Sequence, residues 1–543
     1  MTKFSPTFQE IPLKIVGGNN FGRYPKISVE QTWNMIISDG WLVPFAGHKK
    51  NLDLVTSSMG RGLFSSIKSN NLFVVIEDQI FRVDDIGRYF NIGLLETISS
   101  DVFIDENDNN QIAFCDQKNI YIYDTVSGVF TKAVTPFTPI YIAFHDGYFI
   151  AAAADTNQWY LSGINDGFTW SALDVGLLQT KPDNVQAVVR MPGMGNQIFV
   201  MGRTVTEGWQ DVGAQLFPYQ KNTGFGLDYG CISSTSIAFS DNFIIWLGAN
   251  EKSGPVIMYS SGGPITQISN DGINFKFAQL KNPKASYGSM FKQDGHLIYI
   301  ISFVDPADNY TLAYDFNTQK FFYLSDEEMN HHIAKKIVFF NNSYYFISFN
   351  DGNLYELNSE YTTFDGHEIP RIRITDNIRS KDASPFIANN LTFTIEQGEN
   401  SESSIQQLSY QVGNIGNIAV AANFPTLATV KQGWLYQITA TVFDNDPAKT
   451  NTGQSFVTGN QIVWNGTNWT ILQDQVSRVD LCISNDGGVK FSSNTSYALN
   501  RQAYRRNRII FWNLGRSNDL VCQFRFGGLG RFVATDGFVS IYQ

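Results

Sequence analysis

The chain is poor in the residues that most reactions need. Four cysteines in 543 residues, Cys115, Cys231, Cys482 and Cys522, form no Cys-x-x-Cys pair. A disulfide framework or zinc site therefore has little support, and buried free thiols are expected. Six histidines, His48, His145, His296, His331, His332 and His367, make neither His-Glu-x-x-His nor a cluster with ligand spacing. Charged side chains are only 16% of the chain, which argues against disorder, coiled coil and long solvated helices. The longest apolar run, Leu297 to Val304, is far too short for a membrane span, and the first residues, MTKFSPTFQEIPLKIVGG, carry no apolar signal segment. A soluble protein made in the cytoplasm is expected. Proline is sparse at 17 residues while glycine reaches 45 and aromatics 14%. That mixture suits many short strands joined by tight turns.

The formal net charge is −11 at pH 7. An acidic surface repels a polyphosphate, so general nucleic-acid binding is disfavoured.

From about residue 70 to 365, short apolar segments recur and each closes on a Gly, Asn or Asp turn. Examples are NNLFVVIEDQIFRVDD (70–85), YIAFHDGYFIAAAA (141–154) and GHLIYIISFV (295–304). Their spacing of roughly 45 residues is that of propeller blades. The predicted fold is all-β, a six- or seven-bladed β-propeller over 50–365. Asp146-Gly147, Asp294-Gly295 and Asp351-Gly352 are predicted hairpin turns. One helix is predicted at SDEEMNHHIAKK (325–336), where Ser325 and Glu328 make a capping box. His331 and His332 would then be surface residues.

Past Asp365 the pattern changes. A C-terminal β-sandwich-like domain is expected over 366–401 and 479–543, with a small β module inserted at 402–478 and an N-terminal arm, 1–49, packing on the propeller. The stretch Gly17-Gly18-Asn19-Asn20-Phe21-Gly22-Arg23 has the two-glycine spacing of a phosphate loop but lacks Lys-Ser/Thr, and reads as a flexible part of that arm.

Two features invite a functional reading. INDGFTW (164–170), SNDGINF (269–275) and SNDGGVKF (484–491) resemble the Asp-box hairpins of sialidases, a structural motif. A sialidase-like enzyme or glycan-binding propeller acting in host recognition is thus the alternative function. It would need converging arginines, and 50–365 holds only Arg61, Arg82, Arg88, Arg190 and Arg203. The second feature is Arg501, Arg505, Arg506, Arg508, Arg516, Arg525 and Arg531, a basic concentration in an acidic chain. It reads as a charged strand edge, as a dock for an acidic partner or neighbouring subunit, or as a DNA contact. Arg505, Arg506, Arg508 and Arg516 are the candidate contact residues.

The stretch GRTVTEGWQDVGAQLFPYQKNTGFGLDYGC (202–231) resembles a pattern of the packaged-DNA stabilisation, or tail hub, proteins of short-tailed bacteriophages. It is carried by Gly202, Thr204 or Thr206, Glu207, Trp209, Gly213, Pro218, Tyr219, Gly224 and Gly230. TWNMIISDGWLVPFAG is similar too, through Asn34, Gly40, Pro44, Phe45 and Gly47, as are Trp512, Leu514, Gly515 and Arg516. The resemblance covers about 20–400 and 478–543; the inserted module departs from it and resembles modules of phage fibre proteins. It implies a non-enzymatic virion protein without catalytic residue, metal or cofactor. It further implies a homo-hexameric ring below the portal and its adaptor that extends the DNA channel, retains the genome and carries distal needle, spike or fibre proteins. DNA would pass through without sequence-specific binding.

Overall fold

A computed structural model of the chain describes residues 8–22, 29–55, 58–380, 384–397, 414–432, 434–456, 461–471, 477–499, 506–528 and 530–542. They form two compact units. One holds the described residues of 19–28 and 48–358; the other holds those of 1–18, 29–47 and 359–543.

The first unit is a seven-bladed propeller. Five antiparallel sheets of four strands follow in chain order, beginning with Gly60–Ser66, Phe103–Glu106, Pro139–His145, Val185–Arg190 and Ala238–Phe239; the sixth blade is the antiparallel run Ser286–Gln293, His296–Phe303, Tyr310–Asp315 and Lys320–Leu324. The seventh takes Ala334–Phe340, Ser343–Ser348 and Gly352–Asn358 from its own stretch and its outer strand, Gly47–Val55, from the chain before blade one. That strand fastens the ring. Leu63, Leu72, Val74 and Ile76 of the first blade share one apolar cluster with Phe340, Ile347 and Leu354 of the last. A Cβ on Gly352 would lie 2.2 Å from the Val55 carbonyl oxygen, so glycine admits the fastening strand. Because each blade is covered on both faces, its middle strands are continuous apolar runs: Leu72 to Ile76 are all buried.

Several predicted elements differ. Asp146-Gly147 and Asp294-Gly295 do form two-residue hairpins with both residues at positive φ. Asp351-Gly352 does not; Gly352 already opens a strand. There is no helix at 325–336. The Asp326 carboxylate accepts the amides of Glu328 and Asn330, Met329 turns to φ 68°, and Ala334 starts a strand. Side chain–backbone bonds have displaced the helical ones. His332 is consequently buried and His331 half-buried, not surface residues. The one α-helix among the described residues is Asp271–Phe277, capped by the Asn270 side chain, so SNDGINF is a helix start and no Asp-box hairpin. INDGFTW is a hairpin: Asp166 accepts from the Phe168 amide and the Thr169 hydroxyl.

The second unit is a β-sandwich. One sheet orders Phe8–Leu13, Gly537–Tyr542, Phe386–Gln397, Phe532–Ala534, Trp41–Pro44 and Met35–Ser38, with Arg506–Ser517 paired to Phe386–Gln397. The facing sheet contains Gln31–Trp33, Arg371–Ile374, Val521–Gly527, Arg478–Ser484 and Thr495–Ala498. Leu391, Phe393, Ile509, Phe511, Phe524 and Val539 meet between them. Only part of the N-terminal segment lies on the propeller: Asn19 donates to the Phe321 carbonyl and Phe21 packs on Phe321 and Tyr323, whereas Phe8–Leu13 pairs with Gly537–Tyr542 and Asp536 accepts the amides of Ile15 and Val16. The reason is hydrogen bonding, since each sheet edge left open would expose a row of donors and acceptors. Gly17 is ordered as well. Its carbonyl accepts from Thr32, and a Cβ there would lie 2.2 Å from an Arg373 nitrogen; Arg23 lies outside the described residues. Within 414–471, Ile418, Phe424, Tyr436, Ile462, Trp464 and Trp469 form a separate core. Cys115, Cys231 and Cys522 are buried free thiols and Cys482 is half-buried.

Candidate functional site

The family-like stretch 202–231 builds blade four instead of a reactive centre. Glu207 is buried, and its Oε1 accepts the amides of Gln179 and Thr180, the Thr180 hydroxyl and Lys221 Nζ at 2.7 Å. Its Oε2 accepts from Trp209 Nε1 at 3.0 Å. Burial pushes the Glu207 carboxyl up, but Lys221, Thr180 and the two amides outweigh it and hold it below the usual range. Thr206 donates to the Tyr229 carbonyl, and a Cβ on Gly230 would lie 2.3 Å from the Arg203 backbone. Around Gly40, Asp39 and Gly40 take positive φ between Ser38 and Trp41, and Asn34 donates to the Pro370 carbonyl at 2.9 Å.

Of the candidate contact arginines, Arg505 lies outside the described residues, as does Arg501. Arg506, Arg508 and Trp512 point outward from one strand, alternating with buried Asn507, Ile509 and Phe511. Trp512 is 60% exposed, and Ile387, opposite the exposed Arg516, is 55% exposed. Arg506 pairs with Glu396 at 2.5 Å. Arg525 is 3.3 Å from Glu368 and Arg531 is 3.0 Å from Glu360. Among the described residues Arg508 and Arg516 show no ion pair. The cluster thus divides into arginines bound within the unit and two cations left outward on an edge strand.

A second site is the cavity at the centre of the propeller, about 190 Å³ in volume. The first strands of the blades line it. In a strand, neighbouring residues point to opposite faces, yet here Lys335 and Lys336 both face the cavity because a bulge lies between Ala334 and Lys336. A like bulge between Gly60 and Gly62 presents Arg61. Arg61 is buried and donates to the carbonyls of Glu77, Thr97 and Ser100 and to the hydroxyls of Thr97 and Ser100. Lys335 is 2.7 Å from Asp101, whose other oxygen accepts from Tyr287. Asp105 accepts the amides of Phe144 and Glu106, and burial raises its carboxyl pKa against the pull of Arg190. Burial also lowers Lys336 to about 8. Two of the five propeller arginines, Arg61 and Arg190, line the cavity. Arg82 instead stacks on Phe90 and Arg88 pairs with Asp84. The signal missed was the charge in KKIVFF, a polar pair opening an apolar strand, which the helix reading absorbed.

The seven blades enclose this charged central cavity, and among the described residues no group of three potential metal ligands occurs. The chain belongs to the phage stabilisation family described as "Bacteriophage P22 Gp10, beta-propeller", whose model matches residues 21–362. It is a phage structural protein of the kind that stabilises packaged DNA, and it associates with other virion proteins. No curated protein matches it. Among solved structures, virginiamycin B lyase from Staphylococcus aureus is 11% identical, covering 57% of this chain and 99% of its own, with a TM-score of 0.41. The N-terminal domain of Nup159 is 11% identical over 60% of this chain and 98% of its own, TM-score 0.37.

Proposed function

We propose that the chain is the tail hub, or nozzle, of a short-tailed bacteriophage. Copies form a homo-hexameric ring below the portal and adaptor, extend the DNA channel, retain the genome and hold the distal needle, spike or fibre proteins. Family membership over 21–362 supports this reading, and on the molecule the edge strand Arg506–Ser517 carries it. Among the described residues this twelve-residue strand pairs on one side only. Its outward Arg508, Trp512 and Arg516 offer guanidinium groups and an aromatic anchor to an acidic neighbour. The −11 charge of each copy provides acidic surface for such a contact and lets DNA slide past without being held. Segment 402–478 is a module inserted in the sandwich, its described part folding on its own core. The protein is made in the host cytoplasm and ends in the virion tail. No helix among the described residues is long and apolar enough to cross a membrane.

Electron cryomicroscopy of intact virions tests the proposal. A ring of six copies below the portal, with Arg508 and Arg516 at a protein contact and an acidic lumen, is the expected result. A lumen lined by Arg and Lys, or a position away from the portal axis, would overturn it.

A further inference from the structure

The central cavity holds more positive charge than its own acids offset. Asp101 is taken by Lys335 and Tyr287. Asp105 is bound by two amides and faces Arg190. Arg61 spends its donors on carbonyls and hydroxyls. Lys336, brought to the cavity by the bulge beside Lys335, has no hydrogen bond or ion pair among the described residues. An ammonium withdrawn from bulk water without a counter-charge is costly, and an anion beside it removes that cost. The volume, about 190 Å³, exceeds what a single water needs. Arg190 and Phe239, both exposed, leave the cavity open to solvent.

We propose that the centre of the propeller is a binding site for a small oxyanion, inorganic phosphate or a simple carboxylate, held by the Lys336 ammonium in the field of Arg61 and Arg190. Burial lowers the Lys336 pKa to about 8, a penalty that a bound anion offsets. The site is independent of the outward arginine strand and of ring assembly.

The test uses the full chain at constant ionic strength, exchanging chloride for inorganic phosphate and then for acetate. Calorimetric titration should show one saturable site per chain, lost in Lys336→Met and kept in Lys336→Arg. Since Lys336→Met removes an unpaired, half-buried cation, it should fold at least as well as the parent. A measurement on the unaltered protein guards against failure of that variant: amine acylation followed by peptide mass analysis. Phosphate at roughly ten times its dissociation constant should slow labelling of Lys336 about tenfold, by mass action, while exposed Lys320 is labelled as before. Binding by phosphate alone would mark the site as one for phosphate, and binding by both as a general oxyanion site. No saturable binding, equal binding by Lys336→Met, or Lys336 labelled at the same rate with and without phosphate would overturn the proposal.

Discussion

The propeller and the sandwich solve chain closure in opposite ways. Six of the seven blades are each built from one contiguous stretch, and a single strand, Gly47–Val55, brings a distant segment to the last. The sandwich is assembled almost wholly from distant segments. Arg373, on Arg371–Ile374, donates to the carbonyls of Ile15 and Gly18, to the Thr32 hydroxyl and to Glu30, residues more than 340 positions away. Arg371 joins the carbonyl of nearby Thr362 to that of Gly528, 157 positions on. The propeller meets its buried carboxylate Glu207 with partners no more than 28 positions away; the sandwich holds its buried Arg373 with groups gathered from the other end of the chain. Local repetition makes a core from neighbours in sequence, whereas a sandwich of remote strands needs a polar clasp to fix which segments meet.

Among substitutions, removing that clasp should have the largest effect. Arg373→Ala leaves Glu30 and several carbonyls without their donor and should cost about 3–5 kcal/mol. In calorimetry the loss should fall on the sandwich transition and spare the propeller; a single transition shifted as a whole would erase the contrast. Glu207→Ala is the converse change, stranding Lys221, Trp209 and two amides. It should cost about 3 kcal/mol in the propeller alone, read by the same scan.

Acid should separate the regions progressively, over several pH units. Burial lowers His48 and His332 of the propeller from 6.5 to about 3. The unfolded chain therefore takes up these protons first as pH falls below 6.5. Stability is intact above that value and drops by about 1.4 kcal/mol per histidine per pH unit until about pH 3. Replacing both by Gln should flatten this slope in denaturant titrations. The smallest stability effect belongs to the outward arginines: Arg508→Glu with Arg516→Glu should change unfolding free energy by less than about 0.5 kcal/mol, while ring assembly, followed by sedimentation, is lost.

The same contrast explains what could be read from the residues. Blade spacing and the hairpins at Asp146-Gly147 and Asp294-Gly295 are local, so the propeller was legible. Pairing of Phe8–Leu13 with Gly537–Tyr542 depends on partners over 500 positions apart, and no local pattern announces it. The helix expected at 325–336 failed because Asp326 captures backbone amides that a helix would need. The arginine strand was visible as composition, but which of its members face outward depends on the register with Phe386–Gln397. The central cavity was illegible for a sharper reason: a one-residue bulge turns Lys335 and Lys336 to the same side.

The most direct test of the central claim is DNA retention by particles assembled without this protein, measured as nuclease-sensitive genome over time after packaging. The account predicts that such particles package DNA and then lose it, and that adding the purified chain before release prevents the loss. Particles that lack the protein yet keep their DNA as long as complete virions would contradict it.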